Sequence, residues 1–413
     1  MGARTQVTQT TPARTALQHF STPFFLIPQG TGITAVILHE IQYQFTGLQT
    51  ISVVFWMINI VTLLLFSLIL FSRIVLEPKA FFRGVGTDPS QASCLASISV
   101  SFTVSVMMVS LVVVPSWGGR SWANAVYAMW WVAAGLATAC CVGVPLLFLK
   151  AIRAQGGFVE SLTPTTQLPI IAALTAAAGA GTIASSASAH LERDQLVPML
   201  IMGFLLVGLA LPLAVMLDVL FLIRMLQPHE GNTAGPLPAT LIYTDMVLCG
   251  PWGQASFALQ SLGQAMTKLK PISGPYPSPE SAVFVSQQAV APIGYASMLG
   301  GIVAWGQATF WWTFAVFCIG RVILKVIRKR EPFPFAIPSW SIVFPWGVYT
   351  NSTVQLGKLL DSPVCRVWST ILVIVLVILW LTCSALTLRG VFRGTLLGLR
   401  KGWKVAPAQN GAA

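Results

Sequence analysis

Long apolar blocks alternate with short polar connections along this chain of 413 residues. The blocks run to about 20 residues, the length at which a helix rising about 1.5 Å per residue crosses a hydrocarbon layer roughly 30 Å thick. They fall at 20–38, 51–71, 95–114, 126–149, 168–189, 198–222, 241–266, 296–322, 338–356 and 367–388. Lipid offers the backbone no hydrogen-bonding partner, so blocks of this length predict helices and not open strands. The expected fold is all-α and polytopic, with about ten transmembrane helices over 20–388 and tails at 1–19 and 389–413. No cleavable leader is expected ahead of the first block.

The blocks differ in texture. The second and tenth hold unbroken apolar runs at 61–70 and 371–379. The first carries Pro28-Gln29-Gly30-Thr31-Gly32, and the third carries Ser97, Ser99, Ser101, Thr103 and Ser105. The fifth carries Gly179, Gly181, Thr182, Ser185 and Ser186. The seventh has Gly250-Pro251-Trp252-Gly253-Gln254-Ala255-Ser256 and the ninth Phe344-Pro345-Trp346-Gly347. Interrupted, hydroxylated backbone is tolerated at membrane depth only beside protein or a water-filled path. The alternation therefore predicts helical hairpins with odd members inside, along a pore, and even members outside. Close packing through Gly, Ala and Ser is the competing explanation, and Pro145 and Pro212 interrupt even members too.

Charge adds orientation. Only 9% of residues are charged and the net charge is +12, against about 25% charged residues in a soluble domain. With ten spans, Arg120, Arg193, Lys268, Lys270, Lys358 and Arg366 fall on one side and the other 18 of the 24 basic residues on the opposite side. Basic loops stay cytoplasmic, so both termini are expected there. The positive charge then reads as topology and contact with lipid headgroups, with no nucleic-acid partner. Lys358 and Arg366 either concentrate anions near their turn or only snorkel. The stretch 270–281 and both tails are expected to be flexible.

Ionisable groups inside the blocks are nearly absent. Asp218 and Asp245 are the two candidates for a proton-linked role. Alternatively, Asp218 pairs with Arg224 and Asp245 sits in the first turn of its helix, where unpaired amides favour a negative charge. The seven cysteines have no metal-ligand spacing, and no nucleophile, base and acid set or phosphate-binding glycine loop appears. No enzyme activity, metal or cofactor is expected. A path lined with hydroxyls, amides and glycine backbone suits a small anion, which must bind well enough to enter and weakly enough to leave.

Three strings carry a resemblance to a known family. They are Gln29-Gly30-Thr31-Gly32, Gly250-Pro251-Trp252-Gly253-Gln254-Ala255-Ser256, and Phe344-Pro345-Trp346-Gly347-Val348-Tyr349 with Leu356-Gly357-Lys358. In that order, the chain resembles the tellurite-resistance/dicarboxylate transporter family of slow-type anion channels, fungal malate permeases and fungal sulfite efflux pumps. The resemblance implies five helical hairpins around a central path, with Phe344 as an occluding gate. It also implies a pore lined from Gly30, Thr31, Gly32, Gly250, Pro251, Gly253, Gln254, Ser256 and Gly347, and homotrimers for some members. The seventh-block string is similar to the sulfite branch, whereas Tyr43-Gln44-Phe45-Thr46-Gly47-Leu48 is similar to the malate branch. The expected function is sulfite or bisulfite efflux at the plasma membrane, with malate or another organic anion as the alternative.

Overall fold

The computed structural model describes residues 11–154, 162–226, 241–269, 286–330, 335–400 and 404–405. The expected loop at 270–281 lies outside them. The described residues are helical apart from turns and one two-residue antiparallel pair, Leu399–Arg400 with Lys404–Val405. The first helices are α1 (Pro12–His19), α2 (Leu26–Glu40), α3 (Leu48–Leu76), α4 (Pro78–Thr87), α5 (Pro89–Cys94) and α6 (Ala96–Met108). A π-type coil at Val109–Gly118 joins α6 to α7 (Gly119–Ala154). Then come α8 (Leu168–Ser186), α9 (Arg193–Leu226), α10 (Cys249–Lys268), α11 (Gln287–Lys329), α12 (Val343–Leu359) and α13 (Pro363–Phe392).

Helices α2, α8, α10 and α12 are each entered through a tight 3-10 turn, at Thr22–Phe25, Pro164–Gln167, Ile242–Leu248 and Ile337–Ile342, and α6 is entered through α5. This junction accounts for the prolines. Pro28, Pro169, Pro251 and Pro345 stand second or third in their helices, where a backbone N–H would have no partner within the helix. The interruptions legible in the sequence are therefore helix entrances, not mid-helix breaks. Pro145 and Pro212 break nothing, since α7 and α9 continue through them.

Burial sorts the helices into two sets. Helices α2, α6, α8, α10 and α12 are buried along almost their whole lengths. Helices α3, α7, α9, α11 and α13 expose large apolar side chains such as Leu64, Leu136, Leu205, Phe317 and Ile374, which is the surface that lipid requires. The buried helices pack in the closed order α2, α6, α8, α10, α12 and back to α2. Each has the next exposed helix in the chain against it. The entry turns repeat the same closed order as a collar at one end of the ring. The five inner helices thus run parallel.

Close approach within the ring depends on glycine. A Cβ at Gly181 would stand 2.5 Å from the backbone nitrogen of Leu262, and one at Gly253 would stand 3.0 Å from that of Tyr349. Helix α12 is pinned on its outer side: Trp305 and Trp312 of α11 both stack on Tyr349, with ring centroids 5.8 and 5.3 Å away. The Trp346 indole donates to the Leu372 carbonyl of α13 at 3.0 Å.

By length and composition, six helical segments can cross a membrane, or seven if the pair Pro12–His19 and Thr22–Glu40, bent by 76°, counts as one. That is fewer than the ten blocks read from the sequence. Helix α10 falls short because Gln254, Ser256, Gln260, Ser261 and Gln264 lower its hydropathy, and α12 because of its polar run at 350–353 together with Gln355 and Lys358. One of the six, Pro89–Leu147, has 59 residues and would reach about 88 Å if straight. It turns at Gly119, where φ is 48°, and α7 packs back on α6.

Helix α1 packs against the β pair and the turn at Thr395–Leu397, so both ends of the described chain lie on the collar side. Part of the expected flexible N-terminal tail is therefore helical. It is held by Arg14 and Gln18 donating to Glu77, with the Gln18 contact at 2.9 Å. These bonds keep the Glu77 carboxyl below its ordinary pKa.

Candidate functional site

Helix α12 shows which side chains face the middle of the ring. Val343 and Gly347 touch α2, at Gly30 and at Ile33, while Pro345 and Val348 touch α10, at Gly250 and Gly253. Trp346 and Tyr349 face the outer helices. At about 100° per residue, the remaining face carries Phe344, Asn351 and Gln355, so Phe344 points inward. It is 1% exposed. On α2, Gly30 contacts α12, Gly32 contacts Asn59 of α3 and Val104 of α6, and Thr31 meets Trp380 of α13. That leaves Gln29 and Glu40 facing inward. Because Gly30 touches Val343, Gln29 and Phe344 lie at the same depth.

Gln29 is the most unusual polar group among the described residues. It is 0% exposed, and neither its Nε2 nor its Oε1 has a hydrogen-bond partner. Each unpaired buried polar atom costs about 1–3 kcal/mol. Other unpartnered buried atoms sit on the inner helices, among them Ser97 Oγ, Ser99 Oγ, Thr182 Oγ1 and Asn351 Nδ2.

Away from the collar the ring opens into a vestibule of about 310 Å³. Its walls include Thr182 and Ser185 of α8, Phe257, Ser261 and Gln264 of α10, and Gln355 of α12. Gln355 donates to Gln264 at 2.6 Å. At the rim, Lys358 forms an ion pair with Glu40, while Lys268 is exposed and without an ion pair among the described residues. Arg366 pairs with Asp361. Eleven residues separate Phe344 from Gln355, so the ring lies about 16 Å below the vestibule along the helix.

The sequence-predicted residues divide into three groups. Gly30, Gly32, Gly250, Gly253 and Gly347 face neighbouring helices, where a Cβ would stand between 2.6 and 3.0 Å from the nearest atom. They set helix spacing. Thr31 accepts from the Trp380 indole at 2.9 Å, and Ser256 donates to the Gly301 carbonyl of α11 at 2.7 Å, so both hydroxyls point to outer helices. Pro251 stands in the first turn of α10. Gln254 is 1% exposed with its Oε1 unpartnered, and Phe344 faces the centre. The sequence reading left out Gln29, Phe257, Asn351, Gln264 and Lys268. The signal for Gln29 was present, since it heads the string Gln29-Gly30-Thr31-Gly32.

Asp218 does not pair with Arg224. Six residues place Arg224 about 120° from Asp218 around the helix, whereas partners on one face stand three or four apart. Arg224 instead donates to the Leu162 carbonyl. Asp218 Oδ2 accepts from the indoles of Trp252 at 2.6 Å and Trp311 at 2.9 Å, and Oδ1 accepts from Gln167 Nε2 at 2.6 Å. One carboxylate thus ties α9 to α10, to α11 and to the turn entering α8. Asp245 lies in the turn entering α10, with Arg224 its favourable charge neighbour. The two acids do not share a site. Among the described residues, no group of three or more His, Cys, Asp or Glu could hold a metal, and all seven cysteines are free.

The family model for SLAC1, voltage-dependent anion channel, matches residues 19–388. The chain belongs to that family. SLAC1-family membership makes it a multi-pass membrane anion transporter and not an enzyme. It is similar to the sulfite efflux pump SSU1 of Trichophyton rubrum, 30% identical over 380 residues, 90% of this chain and 91% of the relative. SSU1 of Arthroderma benhamiae is 29% identical over the same shares. The malic acid transport protein of Schizosaccharomyces pombe is 23% identical over 92% of this chain and 80% of its own.

Proposed function

We propose that this SLAC1-family chain exports sulfite or bisulfite across the plasma membrane, through the ring of five inner helices. The observation that carries the reading is the combination of the unpaired Gln29 amide with the Phe344 ring at one inward-facing level. A buried amide left without partners is costly, and an anion in transit would accept from its Nε2. Phe344 at this level excludes water and hydrated ions by bulk. Thr182, Ser185, Ser261, Gln264 and Gln355 supply neutral donors along the wider section, which hold an anion briefly without trapping it. Glycines of the three strings act by packing the ring, and Gln254 is the one amide of the seventh-block string that borders it.

In this reading the chain crosses the membrane ten times as five hairpins, with domains at 1–19, 20–388 and 389–413 and the collar on the cytoplasmic side. The same-side ends support an even number of crossings, and the basic bias supports that orientation. Asp218 acts as a structural anchor, and Asp245 steadies the turn entering α10. Homotrimers follow from the family resemblance alone.

Sulfite is favoured over malate by the string Gly250-Pro251-Trp252-Gly253-Gln254-Ala255-Ser256 and by the two sulfite efflux pumps at 29 and 30% identity. The malate reading rests on the Schizosaccharomyces pombe relative and on 43–48. Purified protein in vesicles, loaded separately with sulfite and malate, decides between them. Sulfite release well above that of empty vesicles, with malate retained, is the expected result. Malate release alone would overturn the substrate, and release of neither would overturn the transport reading for both anions.

A further inference from the structure

A second cavity, of about 250 Å³, lies away from the inner path, in a gap between outer helices α11 and α13. Gly320 and Ile323 form one wall, Leu379 and Leu386 the other, and Ile342 and Trp346 the floor. Its lining is almost wholly apolar. Gly320 adds to the space, since a Cβ there meets nothing within 4 Å.

The α13 wall continues past the cavity in a charged direction. Thr382, Leu386, Arg389 and Arg393 follow one another at spacings of four, three and four residues, the repeat that keeps side chains on one helix face. Both arginines are exposed, and neither has an ion pair among the described residues. Arg393 stands seven residues beyond Leu386, about 10 Å along the axis. An apolar slot on the lipid side of a membrane helix, with two unpaired guanidiniums one to two turns further on, matches the two ends of an anionic phospholipid.

We propose that the gap between α11 and α13 binds an anionic phospholipid, with an acyl chain in the cavity and the phosphate at Arg389 and Arg393. Arginine is suited to that role because its planar fork matches phosphate oxygens. The floor residues Ile342 and Trp346 lie two positions either side of Phe344, so the chain braces the segment that carries it. Binding stands on the cavity and charges alone; its effect on flux rests on the pathway reading.

The test uses the full-length protein in nanodiscs of phosphatidylcholine, with or without phosphatidylserine, released for native mass spectrometry. The parent is expected to retain phosphatidylserine in preference to phosphatidylcholine. Arg389→Gln and Arg393→Gln are each expected to lower that preference about fivefold. Gly320→Phe, which fills the slot, is expected to lower retention of both lipids, and Gly320→Leu to do so in part. Size-exclusion profiles confirm that each variant is folded before comparison. Unchanged retention in all four variants overturns the site. A change in subunit number with Gly320→Phe, without loss of lipid, overturns it in favour of a contact between copies. Displacement of the lipid by glycerophosphate alone removes the acyl-chain assignment. In vesicles, parent flux should differ with and without phosphatidylserine and the variants' flux should not. Retention as expected with identical parent flux in both vesicle types would overturn the bracing of Phe344 while leaving the lipid site standing.

Discussion

Asp218 offers the most direct test of what a buried acid does in this fold. Three donors converge on it: the Trp252 and Trp311 indoles on Oδ2 and the Gln167 amide on Oδ1. Asp218→Ala leaves all three without an acceptor at a buried position. At about 1–3 kcal/mol for each orphaned group, the loss is about 3–9 kcal/mol, a large part of the 5–15 kcal/mol that holds a typical domain folded. Asp218→Asn is different. Its carbonyl can keep both indoles, and its new NH2 would face Gln167, whose Oε1 has no partner at present. A flip of the Gln167 amide then restores the third bond. The cost falls to the difference between charged and neutral hydrogen bonds, about 1–2 kcal/mol. Thermal unfolding in detergent, followed by size-exclusion yield, should rank parent above Asn and Asn far above Ala. Flux driven by a pH gradient should survive in the folded Asn variant. If Asn abolishes uphill transport while downhill exchange persists, Asp218 carries protons and the anchor assignment is wrong.

The other predictions concern the ring and its mouth. Phe344→Ala should raise anion flux per folded molecule above the parent, with Phe344→Leu between them; flux at or below the parent would remove Phe344 as the occluding group. Gly181→Ala should sharply reduce folded yield, because the new Cβ meets the backbone of Leu262 and Ser261 at 2.5 Å and neither helix can yield locally; normal yield would refute the close-packed ring. Glu40→Gln frees Lys358 and should lower the sulfite KM, whereas Lys268→Gln should raise it by about fivefold or less at low salt, an effect that fades at high salt. Equal KM values in all three proteins would show that the vestibule charges do not gather substrate.

Much of the architecture was legible because lipid imposes a simple rule on outer helices. Runs such as 61–70 had to face hydrocarbon, and the interrupted blocks had to be shielded from it. What failed in the sequence was partner assignment. Gly253 is visible as a glycine, but its contact with Tyr349 joins residues nearly a hundred positions apart. Asp218 was matched to the nearest cation in sequence, although helical geometry turns Arg224 to another face. Pro345 was read as an interruption of its block, yet its place in the first turn of α12 disturbs nothing. The weak hydropathy of α10 and α12 has one cause: both are screened from lipid by α11 and α13, so polar side chains cost them little.

The parallel run of the five inner helices has an electrical consequence. Each helix carries roughly half a positive charge at its start and half a negative charge at its end, and here all five starts meet in the collar. A path along the ring, as proposed, would therefore have a built-in polarity: an anion is favoured near the collar and opposed where five helix ends converge. Lys268, in the last turn of α10, stands where that opposition is greatest and offsets it, while the charge of Lys358 in the last turn of α12 is matched by Glu40. Current through such a path should rectify even between identical solutions, and neutralising Lys268 should steepen the asymmetry.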